Sequence, residues 1–371
     1  MANTLKFGNG EWYGKKDTIL AYNDENSNFK PLAFNFERNT SATRVNKDGL
    51  IETVGSGEPR IDYKDDSKGA LLLEPSRSNA ITNSEAFDNA YWTKTNTTVT
   101  SGFLSPDGTN NAFKLISNNG GNIIARPSIS LNTNHATSIY LKRVSGNGNV
   151  SIFKTNGNEQ IITLTDEWQR FTDINSVNPS NAYMGVRLYG LNDEILIYGA
   201  QVEQGSYATS YIPTQGSAVT RLAESCNQTP PSDVIGQTEG TILVDVDFKT
   251  LSGTNMFVSI RPDASNKIEI YRSDAVIYAE FASNASFNFN KPSVTVGRYK
   301  IAVAYSSGSS AMYINGVFIG SNTTTFAFTS TLDDIYINSR GTSFIEQSNY
   351  NDFKLYNTRL SNAELQALTS N

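Results

Sequence analysis

The 371 residues carry 30 Lys and Arg against 36 Asp and Glu, a net charge of −6, and the length exceeds what one ordinary core organises, so two or three domains are expected. With no basic cluster there is no positive field to hold phosphate backbones, which excludes nucleic acid as an expected partner. No run approaches the roughly 18 apolar residues that cross a bilayer, so membrane insertion is excluded too. Aromatic residues make up 11% and charged residues only 18%, with 27 glycines, which predicts an all-β chain. Residues 1–10 lack the charged-then-apolar pattern of a secretion signal, and the single Cys226 has no partner for an internal disulfide.

Residues 1–77 are polar, with turn signals at Asn9-Gly10 and Asp48-Gly49 and only short apolar runs. Too little apolar area is present to offset chain entropy, so this stretch is expected to be an extended attachment segment ordered by docking on another subunit or a neighbouring domain. Over 78–225 short alternating strands follow one another. In 183–189, Met184, Val186 and Leu188 share one face while Tyr183, Gly185, Arg187 and Tyr189 share the other. Over 194–202 the alternation places Leu196, Tyr198, Ala200 and Val202 together, and over 137–143 it pairs Ile139 with Leu141. Brief Asn/Gly/Ser loops between such strands predict antiparallel sheets packed as a sandwich.

Thr229-Pro230-Pro231-Ser232 cannot continue a ladder and marks the next boundary. Beyond it, 241–249 alternates, with Ile242, Val244, Val246 and Phe248 opposite Leu243, Asp245 and Asp247. Asn315-Gly316 between two apolar runs predicts a type I′ hairpin. Ser361 with Glu364 three residues on forms a capping box, Leu360 and Leu365 a staple around it, and a short C-terminal helix is expected to pack through Ala363, Leu365 and Leu368.

Three stretches resemble known families. Arg38, Ser41-Ala42-Thr43-Arg44-Val45, Gly49-Leu50-Ile51-Glu52, Pro59-Arg60-Ile61-Asp62-Tyr63 and 71–79 (LLLEPSRSN) resemble a module recurrent in phage virion and tail-associated proteins. The resemblance continues through 86–92 (AFDNAYW), 167–171 (EWQRF), 199–203 (GAQVE) and 210–214 (SYIPT) into a part similar to carbohydrate-binding jelly rolls. Residues 298–304 (RYKIAVA), 312–316 (MYING), 353–357 (FKLYN) and 360–365 (LSNAEL) resemble laminin-G and concanavalin A-like lectin sandwiches. The resemblance implies an attachment segment over 1–77, a carbohydrate-binding-like jelly roll over 78–225 and a laminin-G/concanavalin A-like β-sandwich over 226–371.

The chemistry of enzymes is thinly represented. The sole histidine, His135, has no second His or Cys near it for a zinc site and no nucleophile signature for a triad, and reads as a surface or strand-edge residue. Asp245 and Asp247 lack the glutamates of a concanavalin-like glycosidase strand and read as the solvent-facing side of a sheet. Sugar binding needs flat apolar surface beside amides and carboxylates. Tyr91, Trp92, Tyr189, Tyr271 and Tyr278 are the candidate glycan platforms, with Trp168 and Tyr183 as further aromatics; core packing competes with that role, most of all for the tryptophans. Asp333 and Asp334 are candidates for a calcium site of the kind the laminin-G resemblance implies.

Together these features predict a non-enzymatic, all-β structural appendage on a phage virion surface, a head or tail fibre or decoration protein. Its N-terminal segment would bind a capsid or tail protein, its two antiparallel jelly-roll sandwiches a host cell-surface glycan, and a homo-oligomer, a dimer or trimer, would supply avidity. No cofactor is implied. The alternatives are a polysaccharide depolymerase and a purely structural fibre without glycan binding.

Overall fold

A computed structural model of the chain describes residues 4–22, 32–127, 133–153, 159–175, 184–230 and 233–370. The strands are antiparallel and a single α-helix, Asn362–Thr369, is present among the described residues. The chain divides into two compact units. The first comprises Met1–Ser41, Val54–Pro75 and Leu222–Asn371, and the second Ala42–Thr53 and Ser76–Arg221. This differs from the expected boundaries at 77 and 225, because strands from both ends of the chain complete the same sheets.

In the first unit, one sheet runs in the order Val317–Asn322, Ser310–Ile314, Gly297–Ser306, Glu239–Phe248, Ser348–Tyr356, Ala70–Leu73, Ile61–Asp62, and the strand Leu5–Gly8 also pairs with Ser348–Tyr356. The other sheet begins with Gly14–Lys15, Thr18–Ala21 and Leu32–Glu37, passes through Ser225–Gln228 and Ile335–Ile337, and ends with Thr254–Ile260, Lys267–Ser273, Val276–Ala282 and Phe287–Pro292. Between them lies one apolar core that draws Leu5, Phe7, Phe34 and Phe36 from the leading residues and Val244, Phe257, Ile301 and Phe353 from the later ones. The early stretch thus gains its order from its own chain's later strands, and short apolar runs suffice because each adds one buried face to an existing core.

The leading residues also supply three of the four members of a buried ionic quartet. Arg60 reaches Glu224 through Nε (2.7 Å) and a terminal nitrogen (2.5 Å) and Glu74 through the other (2.8 Å), while Arg38 meets Glu224 at 2.8 Å. All four side chains are sealed from solvent. Charges so placed are tolerable only when every donor and acceptor is matched, and the remaining Arg38 donors go to the Thr40 and Gly55 carbonyls.

The second unit is an antiparallel sandwich built about the long strand Ala112–Ala125. Its first part pairs with Glu194–Gln204 and its last with Met184–Leu188, so one strand serves both layers. Trp92, Leu115, Ile123, Ile139, Leu141, Met184, Val186 and Leu188 fill the space between. The expected grouping of Leu196 and Tyr198 with Ala200 and Val202 is corrected here. Gly199, at φ 59°, sits where the register slips between the Tyr140↔Tyr198 and Ser138↔Gln201 pairs. The bulge inverts the alternation, so Ile195, Ile197, Ala200 and Val202 face the core and Tyr198 faces away, in a cluster with Tyr211. His135 is likewise buried, 3% exposed, rather than at a surface, with Nδ1 on the Thr133 carbonyl at 3.0 Å.

Local signals behave as the sequence leads one to expect. Asn315 and Gly316 take positive φ (49° and 76°) between Ser310–Ile314 and Val317–Asn322. Ser361 and Glu364 form the capping box. Helix packing is corrected in one respect: Ala363 is exposed, and Thr369 packs in its place, donating to the Leu365 carbonyl and accepting from the Gly316 amide.

Candidate functional site

The site is the outer face of the second sheet of the first unit, where alternation turns Ile268, Ile270, Ile277 and Ala279 into the core and Lys267, Glu269, Tyr271, Tyr278 and Glu280 outward. Lys267–Ser273 and Val276–Ala282 form a hairpin in which Tyr271 lies directly opposite Tyr278. Their rings stack with centroids 5.2 Å apart and planes 20° from parallel. Both are half-buried, and exposed Asn290 is the next residue across from Tyr278.

One step along the hairpin, Glu269 opposes Glu280, and two carboxylates in that relation repel. Lys267 resolves the conflict, with its ammonium 2.9 Å from Glu269 and 2.8 Å from Glu280. Glu269 is further held by Ser259 Oγ at 3.0 Å and by both ends of the Arg340 guanidinium, and its side chain is fully buried. Glu280 stays accessible at the surface and accepts from the Tyr271 hydroxyl at 3.1 Å. Burial alone would raise the Glu280 carboxyl, but Lys267 and then Tyr271 outweigh it and hold it below the usual carboxylate range. Burial, then the Glu280 charge, pushes the Tyr271 phenol up to about 12. At neutral pH the face therefore presents an ionised acceptor, two stacked rings, and the amides of Asn288 and Asn290.

The row through Glu280 extends across the sheet by register: Asn35, Asn227, Tyr336, Ser259, Glu269, Glu280, Asn288. Ser259 and Glu269 are buried and bonded to each other, so the polar groups this row leaves at the surface are those of Asn35, Asn227, Tyr336, Glu280 and Asn288. Hydroxylated ligands are bound by this combination, ring surface for C–H groups and fixed acceptors for hydroxyls.

The structure brings Tyr271 and Tyr278 together and leaves the other candidate platforms elsewhere. Trp92 is 1% exposed and donates through Nε1 to the Asn83 carbonyl at 2.8 Å, so it is a core residue. Tyr91 is half-buried with its ring edge against Trp92. Tyr189 is 45% exposed, and its hydroxyl bonds Ser151 and lies 3.4 Å from Glu159, which Arg187 holds at 2.8 Å. Trp168 is half-buried against the Tyr198–Tyr211 cluster, and Tyr183 lies outside the described residues. Asp334 accepts from Thr229 Oγ1 (2.5 Å) and Tyr336 (3.3 Å), and among the described residues no three His, Cys, Asp or Glu side chains converge to hold a metal ion.

Asp245 is corrected: it is 3% exposed rather than solvent-facing, and both its oxygens take Arg298 nitrogens at 2.7 Å. Glu280, Lys267, Arg340 and the two asparagines escaped sequence reasoning because cross-strand register joins them. The available signal was the tight turn at Asp274-Ala275, where Ser273 pairs with Val276 and Asp274 takes φ 48°, which sets Tyr271 opposite Tyr278.

No family model matches the chain, and no curated protein matches it. Among solved structures, the carbohydrate-binding module (CBM40) of the Ruminococcus gnavus IT-sialidase, bound to α2,3-sialyllactose, is 15% identical with a TM-score of 0.33, over 37% of this chain and 84% of that one. The botulinum neurotoxin serotype G binding domain is 14% identical, TM-score 0.33, over 39% of this chain and 40% of that one. The receptor-binding domain of the botulinum neurotoxin C/D mosaic serotype is 9% identical, TM-score 0.35, over 40% of each. Likenesses this distant leave ligand and function to the chain's own residues.

Proposed function

We propose that this chain is a non-enzymatic structural appendage of a phage particle that holds host-surface glycan on the Tyr271–Tyr278 face. The observation that carries the glycan reading is the stacked, half-exposed tyrosine pair beside ionised Glu280 and exposed Asn288 and Asn290. Binding rather than hydrolysis is favoured because the second carboxylate, Glu269, is sealed and neutralised by Arg340 and Lys267, which leaves one accessible acid where glycoside cleavage needs two. The phage setting rests on the resemblance of the early strings to virion modules. Residues such as Arg38, Arg60 and Glu74 are buried within the chain, so contact with a capsid or tail protein falls to exposed positions of the same stretch, Tyr13 among them. Several copies on one particle would raise a weak site to useful avidity.

The test is retention of the full chain on host capsule and wall polysaccharides, immobilised and presented as an array. Tyr278→Ala is expected to weaken retention about tenfold, near 1.4 kcal/mol, and to lower stability by only about 0.2–1 kcal/mol, the contribution of a cross-strand aromatic pair. Equal retention by wild type and variant on every polysaccharide overturns the assigned face. Absence of the protein from purified particles, by mass spectrometry, overturns the appendage.

A further inference from the structure

The Tyr271–Tyr278 face does not end at Tyr271. On the strand Thr254–Ile260, Met256 lies directly opposite Tyr271, and cross-strand partners share a face, yet Met256 is fully buried. Neighbouring side chains therefore roof it. On its far side the Met256 amide donates to the Phe344 carbonyl at 3.1 Å, so Phe344, Met256, Tyr271, Tyr278 and Asn290 follow one another across the strands. At the spacing of neighbouring strands Phe344 stands two steps, ~10 Å, from Tyr271 and three, ~14 Å, from Tyr278.

Arg340 ties the Phe344 ring to that face. Its Nε and Nη2 both bond the Glu269 carboxylate, which belongs to the same face, and its guanidinium carbon sits 5.0 Å from the centroid of the Phe344 ring. The contact is a cation–π pair whose cation is pinned by a buried acid. Phe344 nevertheless stays 40% exposed and takes φ 63°, a backbone conformation that bulky side chains rarely adopt. A large apolar side chain that is neither buried nor relaxed points to a role at the surface.

We propose that Phe344 is a second platform of the glycan face, so that the face takes an internal run of several sugar units from a linear polysaccharide. The proposal rests on the glycan reading of the tyrosine pair and adds to it the length and direction of the ligand. Tyr271 and Tyr278 are one strand step apart, within the span of a disaccharide; only a longer chain lying across the strands also reaches Phe344. Each platform stacks on the C–H face of its own sugar ring, and because the second contact is intramolecular once the first is made, affinity grows with chain length until both are occupied.

The experiment is competition. The polysaccharide that the full chain retains most strongly is cut by partial acid hydrolysis, sized into disaccharide and hexasaccharide fractions, and each fraction is used to displace the protein from the immobilised polymer. For the wild type, the hexasaccharide is expected to halve retention at a concentration about tenfold or more below that of the disaccharide. Phe344→Gly removes the ring and suits the positive φ, so the fold is not put at risk, and it should erase that advantage while leaving displacement by the disaccharide unchanged. Phe344→Tyr, which keeps the ring, should keep the advantage. Tyr278→Ala should weaken both fractions. Equal potency of the two fractions on the wild type, an advantage that survives Phe344→Gly, or a Phe344→Gly protein that loses the disaccharide as well overturns the second platform while the tyrosine pair stands. Retention of no polysaccharide at all overturns the glycan reading and this inference with it.

Discussion

The two units solve one problem, closing a sandwich from distant pieces of chain, with different chemistry. The first locks its pieces with charge: Arg38 and Arg60 from early residues, Glu74 after them, and Glu224 from beyond the other unit's sequence meet in a sealed quartet. The second locks its pieces with amides. Asn79, fully buried, donates to the Ala200 and Ile212 carbonyls and accepts from the Ile81 and Val202 amides, while Gln201 bonds the Ile212 amide and Glu203 bonds Thr209 twice. The strings that suggest a recurrent module (Pro59-Arg60-Ile61-Asp62, Leu73-Glu74-Pro75, Arg77-Ser78-Asn79, Gly199-Ala200-Gln201-Val202-Glu203) supply these locks. A string can therefore recur because it closes a fold, and it need not touch a partner.

The largest way to break the comparison is to remove one charge from the quartet. Glu224→Ala leaves two guanidinium groups buried without their shared acceptor, and about 3–5 kcal/mol of stability should be lost. Hydrogen exchange is the measurement: amides of the first unit should lose protection while those of the second keep theirs. Equal loss in both would mean that the units are one cooperative body. Asn79→Ala is the matching cut in the second unit. It strands two carbonyls and two amides, and with about 1–3 kcal/mol for an unsatisfied buried group the expected cost, after local relaxation, is about 3 kcal/mol, now confined to the second unit.

A smaller effect separates the locks by pH. Burial raises the Glu203 carboxyl, against the opposing pull of Thr209, Gln201 and Arg221. A carboxyl whose folded value is raised contributes its stability in full below the ordinary carboxylate range and loses it as pH climbs through the folded value. Denaturant midpoints of the second unit should thus fall as pH rises out of the acid range, and Glu203→Gln should flatten that slope. A midpoint for the second unit that instead rises over the same window would refute the assignment to Glu203.

Much of the local structure was legible because its causes are local. Asn315-Gly316 needs only its own positive φ angles, Ser361 and Glu364 only each other, and the alternation of 241–249 only the pleat. What was hidden depends on partners far along the chain. The early residues lack enough apolar area for a core of their own, and nothing in their pattern tells that Leu5 and Phe7 pair with Leu355 and Phe353. Gly199 hides a bulge that inverts a face, and His135 is buried although no local pattern marks its strand as sealed. The site shows the same division: Tyr271 and Tyr278 could be named as aromatics, but their stacking follows from hairpin register, and Glu280 enters only through it.

The smallest predicted effects sharpen the reading of that pair. Among the described residues the Tyr278 hydroxyl has no hydrogen-bond partner, whereas the Tyr271 hydroxyl donates to Glu280. Tyr278→Phe should therefore change stability by less than about 0.5 kcal/mol and keep polysaccharide retention, because the ring face is preserved. Tyr271→Phe removes a charge-assisted bond worth about 1.5–3 kcal/mol in a well-ordered setting, an upper limit for a half-exposed pair, and leaves Glu280 held by Lys267 alone. Thermal melts and the retention assay read both. If Tyr278→Phe loses retention as fully as Tyr278→Ala does, the hydroxyl and not the ring makes the contact, and the face binds by hydrogen bonding rather than by stacking.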